Sequence, residues 1–276
     1  MGGRTLHYAT AGPAEAPVLI LLHGASGNLL DWTTSVTDAL AAEWRVIAFD
    51  RPGYGHSDPA PRQSWLIHPQ VEMLRAAVRE LGHTRYALLG HSYGVAVALD
   101  WALAFPDDVC GLLAMSGAME SWEGALGWRY RWGGLPLAGQ AMGAMVPLVA
   151  TERLLRSELA EVFAPQPVPD HYLDTAGVAL ALRPATFALN LRSMDTLHAQ
   201  TMAFLPRARD VLCPCEVLHG AADEIVPYDP QSRPVAAGVP GAEVTLLPDI
   251  GHMPHHVDQP SVLAAAARLK TRITER

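Results

Sequence analysis

Five consecutive residues, Gly90-His91-Ser92-Tyr93-Gly94, fit the Gly-x-Ser-x-Gly pattern of a nucleophile elbow. A serine hydroxyl is a weak nucleophile until a base takes its proton. The pattern therefore asks for a histidine, and for a carboxylate to orient that histidine and stabilise its imidazolium. The chemistry would be acyl transfer through a serine-bound intermediate. Five residues alone are a weak signal in a chain with 23 glycines, so the context carries the weight. Tyr86-Ala87-Leu88-Leu89 reads as the end of a buried strand, and Val95 to Phe105 as a helix stopped by Pro106. A serine on a sharp turn between strand and helix projects its hydroxyl outward. Its neighbours must be small because the turn is strained and the helix packs close.

The acid and base should follow the serine in that chain order. Asp223 comes after Val217-Leu218-His219-Gly220, a strand running into a turn, at the strand end where open α/β sheets place their sites. Glu224 is second choice because its side chain points the alternate way, and a turn-capping role is the structural alternative for Asp223. An acid at the end of the preceding strand would fall at 116–119, where no carboxylate occurs before Glu120. His252, in Pro248-Asp249-Ile250-Gly251-His252, follows the last predicted strand; among twelve histidines, His255 and His256 compete with it, and the position directly after Gly251 favours His252. Backbone N–H groups must meet the developing oxyanion. Tyr93 should supply one and Ala25, in the segment Leu21-Leu22-His23-Gly24-Ala25-Ser26-Gly27, the other, the alternative being an ordinary glycine-rich turn. The loop from Asp50 to Asp58 reads as structural support for that segment, with substrate contact as the alternative; it lacks the Gly-Lys-Ser/Thr of a phosphate cradle.

The elements that must position these residues follow from the patterning. The chain has 276 residues, half of them hydrophobic and 17% charged, enough for one large domain or a core with an inserted subdomain. Short aliphatic runs alternate with helical stretches, the mark of a mostly parallel α/β sheet. Strands are expected at 6–10, 18–22, 45–49, 86–89, 109–115, 216–219 and 243–247, and helices at 36–43, 65–81, 95–105, 230–237 and 261–271. From about Gly117 to Asp210 no strand is predicted, and helical patterns return only at 152–163 and 172–182. The uncharged stretch from Gly134 to Ala150 is broken by prolines and glycines and reads as a buried lid, not a membrane span. The first residues have neither a secretory-signal nor a myristoylation pattern. A net charge of −8 with no basic run of five argues against nucleic acid and against anionic membranes as partners. Three cysteines fit a reduced cytoplasmic setting, and Cys213-Pro214-Cys215 reads as inert core, not as a metal or redox pair.

Together, His23-Gly24, Asp50 to Asp58, Gly90 to Gly94, Gly220 to Pro227 and Gly251-His252 resemble the α/β-hydrolase superfamily over about residues 4–270. The resemblance implies a doubly wound, mostly parallel eight-stranded sheet with a helical lid between strands six and seven. The core would then be 1–117 and 211–276, and the lid 118–210. It implies a Ser92–Asp223–His252 triad with an oxyanion hole from Ala25 and Tyr93. Similar dehalogenases and epoxide hydrolases carry Asp at the elbow, so Ser92 points away from them. No HExxH or paired Cys/His cluster calls for a metal or other cofactor. His219 or His23 as zinc ligands is a lesser alternative, and His23 is expected to order the oxyanion loop.

A lid rich in Trp, Met, Leu and Ala suggests an apolar substrate, with Trp122, Trp128, Met119 and Met145 as candidate lining residues; the alternative is that they pack the lid onto the core. The leading reading is a carboxylesterase or lactonase of small apolar substrates, with that substrate and water as its only required partners. A C–C bond hydrolase of ring-cleavage products would use the same triad plus a cation such as Arg183 or Arg192. A cofactor-free perhydrolase and a small-molecule receptor on the same fold stay open, as does a homo-oligomer.

Overall fold

The computed structural model describes residues 3–59, 63–119 and 132–275. Seven strands form its sheet: β1 (Tyr8–Ala11), β2 (Val18–Leu22), β3 (Arg45–Phe49), β4 (Tyr86–His91), β5 (Val109–Met115), β6 (Cys215–Gly220) and β7 (Glu243–Leu247). Their order is β1-β3-β2-β4-β5-β6-β7, with β1 antiparallel to β3 and every other pairing parallel. The architecture is the expected mostly parallel α/β sheet; the described residues carry seven strands where eight were expected.

Every residue of Val18–Leu22 is buried because the sheet is covered on both faces. Ile20, Leu22, Leu88 and Leu112 point into one layer, against α3 (Ile67–Glu80) and α4 (Tyr93–Ala104). Leu19, Leu21, Leu89 and Leu113 point into the other, against Val262, Ala265 and Leu269 of the C-terminal helix Gln259–Thr274. That second layer also holds the short helices α1 (Leu30–Thr33) and α2 (Thr37–Leu40). The chain moves from β2 outward to β3, then back across β2 to β4. The ends of β2 and β4 therefore flank the topological switch point where ligands bind in such sheets.

Between β5 and β6 the chain leaves the sheet for a helical insertion: α5 (Pro136–Val149), α6 (Glu152–Phe163), α7 (Tyr172–Thr175), α8 (Val178–Ala181) and α9 (Pro184–Phe204). The pattern at 172–182 is two short helices, parted by Gly177 at a left-handed φ of 65°. The longest helix, α9, has no counterpart in the sequence expectations. The stretch 134–150, expected to be a buried lid, is mostly exposed. Gly139 and Gly143 are buried, whereas Leu137 and Leu148 are each 83% exposed. A Cβ on Gly143 would collide with the carbonyl of Pro184, so α5 seats on the start of α9 backbone to backbone and turns its larger side chains outward. No helix among the described residues is long and apolar enough to cross a membrane. The three cysteines are free; Cys213 and Cys215 are buried and Cys110 is partly so.

After β6 come α10 (Tyr228–Gln231) and α11 (Arg233–Gly238), and after β7 come α12 (Pro254–Val257) and α13 (Gln259–Thr274).

Candidate active site

Ser92 joins β4 to α4 with φ 52° and ψ −119°, a conformation that costs a non-glycine residue on the order of 1–3 kcal/mol and persists where its surroundings enforce it. The surroundings are explicit. The Ser92 N–H donates to Met115 O (3.0 Å), and the Ser92 carbonyl accepts from Val95 N (3.0 Å) and Ala118 N (3.2 Å). A Cβ on Gly90 would strike the Gly94 carbonyl, and one on Gly94 the Leu22 carbonyl, so both glycines of the elbow are required by close approach. The Tyr93 N–H opens α4, at the end where backbone donors lack intrahelical acceptors and the helix dipole is positive.

Asp223 and His252 are brought together by the ends of β6 and β7. Ala221 N and Ala222 N donate to Leu247 O and Ile250 O (both 2.9 Å), and Gly220 leaves no room for a side chain against Ile250 and Gly251. Asp223 Oδ2 then accepts from His252 Nδ1 at 2.7 Å, with both side chains buried. Its Oδ1 accepts from Ile225 N (3.0 Å) and Val226 N (2.8 Å), which fixes the carboxylate plane. His219 stands behind it: Nε2–H donates to Val226 O and Nδ1 accepts from the Ser232 hydroxyl, both at 2.8 Å. With both ring nitrogens occupied it is a packing residue here, and burial pushes its pKa down.

His91 ties the elbow to the histidine loop. Its Nε2–H donates to the carbonyl of His252 at 2.9 Å, so the residue before Ser92 anchors the backbone that carries His252. Burial, then the neighbouring rings of His255 and His252, hold its pKa well below the ordinary range, so it serves as a neutral donor.

The loop after β2 is held from beneath by Arg51, which is fully buried. Its Nε and Nη2 donate to His23 O (3.0 Å) and Gly24 O (2.9 Å), its Nη1 to Gln70 Oε1 (2.9 Å), and its guanidinium lies over the rings of Tyr54 and Tyr93. His23 closes the same knot, with Nδ1–H donating to Gly24 O (2.9 Å) and Nε2 accepting from Arg51 N (3.0 Å). Burial and the adjacent guanidinium push its pKa down to about 3. Because the Gly24–Ala25 peptide is planar and trans, a Gly24 oxygen pulled toward Arg51 turns the Ala25 N–H the opposite way. A Cβ on Gly24 would lie 3.1 Å from Ser92 Cβ, so the loop runs directly against the elbow.

Of the other expected residues, Met119 is fully buried in the core, its N–H bonded to Gln231 Oε1 and its carbonyl accepting from Thr201. Met145 is 59% exposed on α5. Trp122 and Trp128 lie outside the described residues. Arg183 donates to Gly55 O (2.9 Å), and Arg192 stacks over Trp65. Sequence reasoning missed three contributors: Arg51 as the loop's anchor, His91 as the link to His252, and Asn190 of α9, which bonds Ser26. Only their proximity to the motifs, and for Asn190 not even that, could have pointed to them.

Residues 17–259 match the family model described as the alpha/beta hydrolase fold. The chain belongs to the α/β-hydrolase family. The chain is 30% identical over 256 residues to the magnesium-chelatase 30 kDa subunit of Rhodobacter capsulatus, covering 89% of this chain and 84% of that one. It is 25% identical over 257 residues to a 2-hydroxy-6-oxononadienedioate/2-hydroxy-6-oxononatrienedioate hydrolase of Klebsiella pneumoniae, covering 91% and 86%. The crystal structure of an enol-lactonase from Burkholderia xenovorans superposes with a TM-score of 0.76 at 20% identity, covering 98% of this chain and 97% of that one. At that identity the match speaks for the hydrolase fold alone.

Proposed function

We propose that this α/β hydrolase cleaves carboxylic esters or lactones of small apolar substrates through an acyl-enzyme on Ser92. The observation that carries the reading is the 2.7 Å bond from His252 Nδ1 to a buried Asp223. It commits the ring proton to Nδ1 and leaves Nε2 with a free lone pair, the tautomer a general base needs. His252 Nε2 takes the Ser92 proton as Oγ attacks the substrate carbonyl. The N–H groups of Tyr93 and Ala25 receive the oxyanion, and His252 returns the proton to the leaving alkoxide. A water, deprotonated by the same nitrogen, then attacks the acyl carbon and releases the acid. The residues 1–117 and 211–276 act as catalytic core and 118–210 as lid.

Ester cleavage is the leading reading because, among the described residues, no contact directs either candidate cation for a substrate carboxylate to Ser92: Arg183 gives one N–H to Gly55 O and Arg192 lies over the Trp65 ring. The test is a panel of p-nitrophenyl esters, thioesters and lactones, run beside Ser92→Ala and a fluorophosphonate label. Turnover and labelling should both vanish in the variant. A loss below about 100-fold would contradict the nucleophile assignment, given the scale of triad removal. Tight ligand binding without Ser92-dependent turnover would favour a receptor. Activity on a vinylogous diketone but on no ester would favour the C–C hydrolase.

A further inference from the structure

Asp31, His255 and His256 meet beside His91, whose ring packs 4.6 Å from that of His255. His255 Nε2 lies 3.0 Å from Asp31 Oδ2 and His256 Nε2 lies 2.9 Å from Asp31 Oδ1, and the candidate donor atoms of the three residues all fall within 4.8 Å of one another. The sequence expectation of no metal rests on the lack of an HExxH or paired Cys/His cluster; this group joins residues 224 positions apart. The Tyr172 hydroxyl, from the inserted helices, reaches Asp31 Oδ1 at 2.9 Å. The cluster sits in an aromatic shell, with Trp32 4.9 Å from the His255 ring and Phe163 5.7 Å from the His256 ring.

We propose that Asp31, His255 and His256 form a binding site for a divalent transition metal of the zinc class. Two imidazoles and one carboxylate suit zinc and its neighbours, not the all-oxygen preference of calcium or magnesium. Tetrahedral bonds of about 2.0–2.1 Å put ligand atoms about 3.3 Å apart; the two His–Asp pairs would spread by a few tenths of an ångström, and the widest pair of the cluster, within 4.8 Å, would close toward the same separation.

A second observation points the same way. With both Nε2–H groups given to Asp31, His255 Nδ1 is a buried acceptor without a partner among the described residues, and so is His91 Nδ1. The two rings pack at 4.6 Å. A metal on His255 Nε2 requires that ring's proton to sit on Nδ1, which turns one of these two unpartnered acceptors into a donor. Metal-bound histidines commonly donate the other ring N–H to a neighbour in this way. No proton is gained or lost: each imidazole stays neutral and moves its hydrogen from Nε2 to Nδ1. Tyr172 supplies a further oxygen beside the carboxylate, so the ion would staple α1, α12 and the inserted helices at one point.

The experiment uses the full chain without an affinity tag, in a Cys213→Ser, Cys215→Ser background so that thiols do not compete. Metal content is measured after equilibration with zinc and dialysis, together with the visible spectrum of the Co2+ form and the melting temperature with and without a chelator. The proposal expects about one equivalent, a four-coordinate Co2+ spectrum and a melting temperature that falls on chelation. His256→Gln keeps a donor to Asp31 but loses the ligand, and should weaken zinc binding at least tenfold while the fold survives. Sub-stoichiometric zinc, a six-coordinate Co2+ spectrum, or equal retention by His256→Gln would each overturn it. None of these readouts depends on esterase activity.

Discussion

Asn190 of α9 grips Ser26 with both ends of its amide: Ser26 N donates to Asn190 Oδ1 and Asn190 Nδ2 donates to Ser26 Oγ, each at 2.9 Å. Ser26 stands at a left-handed φ of 54°, directly after Ala25. The inserted helices therefore bear on the backbone expected to receive the oxyanion. Asn190→Ala should lower kcat for a p-nitrophenyl ester about tenfold or more with little change in KM, the pattern of an interaction used in the transition state. Unchanged kcat would detach the insertion from catalysis.

Asp223→Asn preserves size but not the acceptor pattern. The amide can offer N–H to His252 Nδ1 and favour the tautomer with its proton on Nε2, which cannot accept from Ser92. Turnover should fall by about 10⁴-fold while the protein stays folded, as the triad template predicts. A loss smaller than tenfold in steady-state kinetics would remove Asp223 from the mechanism.

Arg51 is a buried cation whose described partners are all neutral: two carbonyls, an amide oxygen and two aromatic faces. Arg51→Lys keeps the charge but cannot reach three acceptors in a fork. It should melt lower, by a free energy of about 3 kcal/mol, and leave the Gly24–Ala25 peptide free to turn. Urea denaturation gives the first quantity, and the affinity of a boronate or phosphonate transition-state analogue reports the second. Wild-type analogue affinity in Arg51→Lys would show that the fork does not set the peptide.

His23 sets a pH dependence of stability. Its pKa in the folded chain is about 3, against an ordinary 6.5, because burial and Arg51 disfavour the imidazolium. Between those values the unfolded chain binds a proton that the folded chain refuses. Stability from this group is thus complete above pH 6.5 and declines as the pH falls toward 3, by roughly 1 kcal/mol per pH unit. Chemical denaturation from pH 7 to 4 should show the decline, and His23→Asn should flatten part of it. An equal slope in the variant would assign the acid sensitivity elsewhere.

The sheet was legible because strands covered on both faces are largely aliphatic runs; β2, β3 and β5 begin and end where the pattern says, and so does β7, although it is a mostly exposed edge strand. The elbow, Asp223 and His252 were legible for a related reason, since each follows such a run. Helix α9 was not. Its buried positions are half polar, with Thr186, Asn190, Ser193 and Thr201 interleaved among Leu191, Met194, Leu197 and Phe204, because the helix meets the loops at Ser26 and Gly53 as well as the hydrophobic core. A search for apolar periodicity passes over such a helix. Asp31 was invisible for another reason: its partners are at the far end of the chain, and no local pattern joins them. The apolar composition of 134–150 misled because Gly139 and Gly143 face inward and Leu137 and Leu148 do not.

Gln166, between α6 and α7, clasps the loop that carries His252: its amide nitrogen donates to Asp249 O and its amide oxygen accepts from Gly251 N. Asn28, in the loop after β2, donates to the carbonyl of Ala176 at 2.8 Å. The inserted helices are thus keyed to the rim through backbone groups of both. Such a piece is not an interchangeable cassette. A graft of the corresponding segment from another α/β hydrolase would have to bring matching rim loops with it, and drift on one side of the seam constrains what the other side can become.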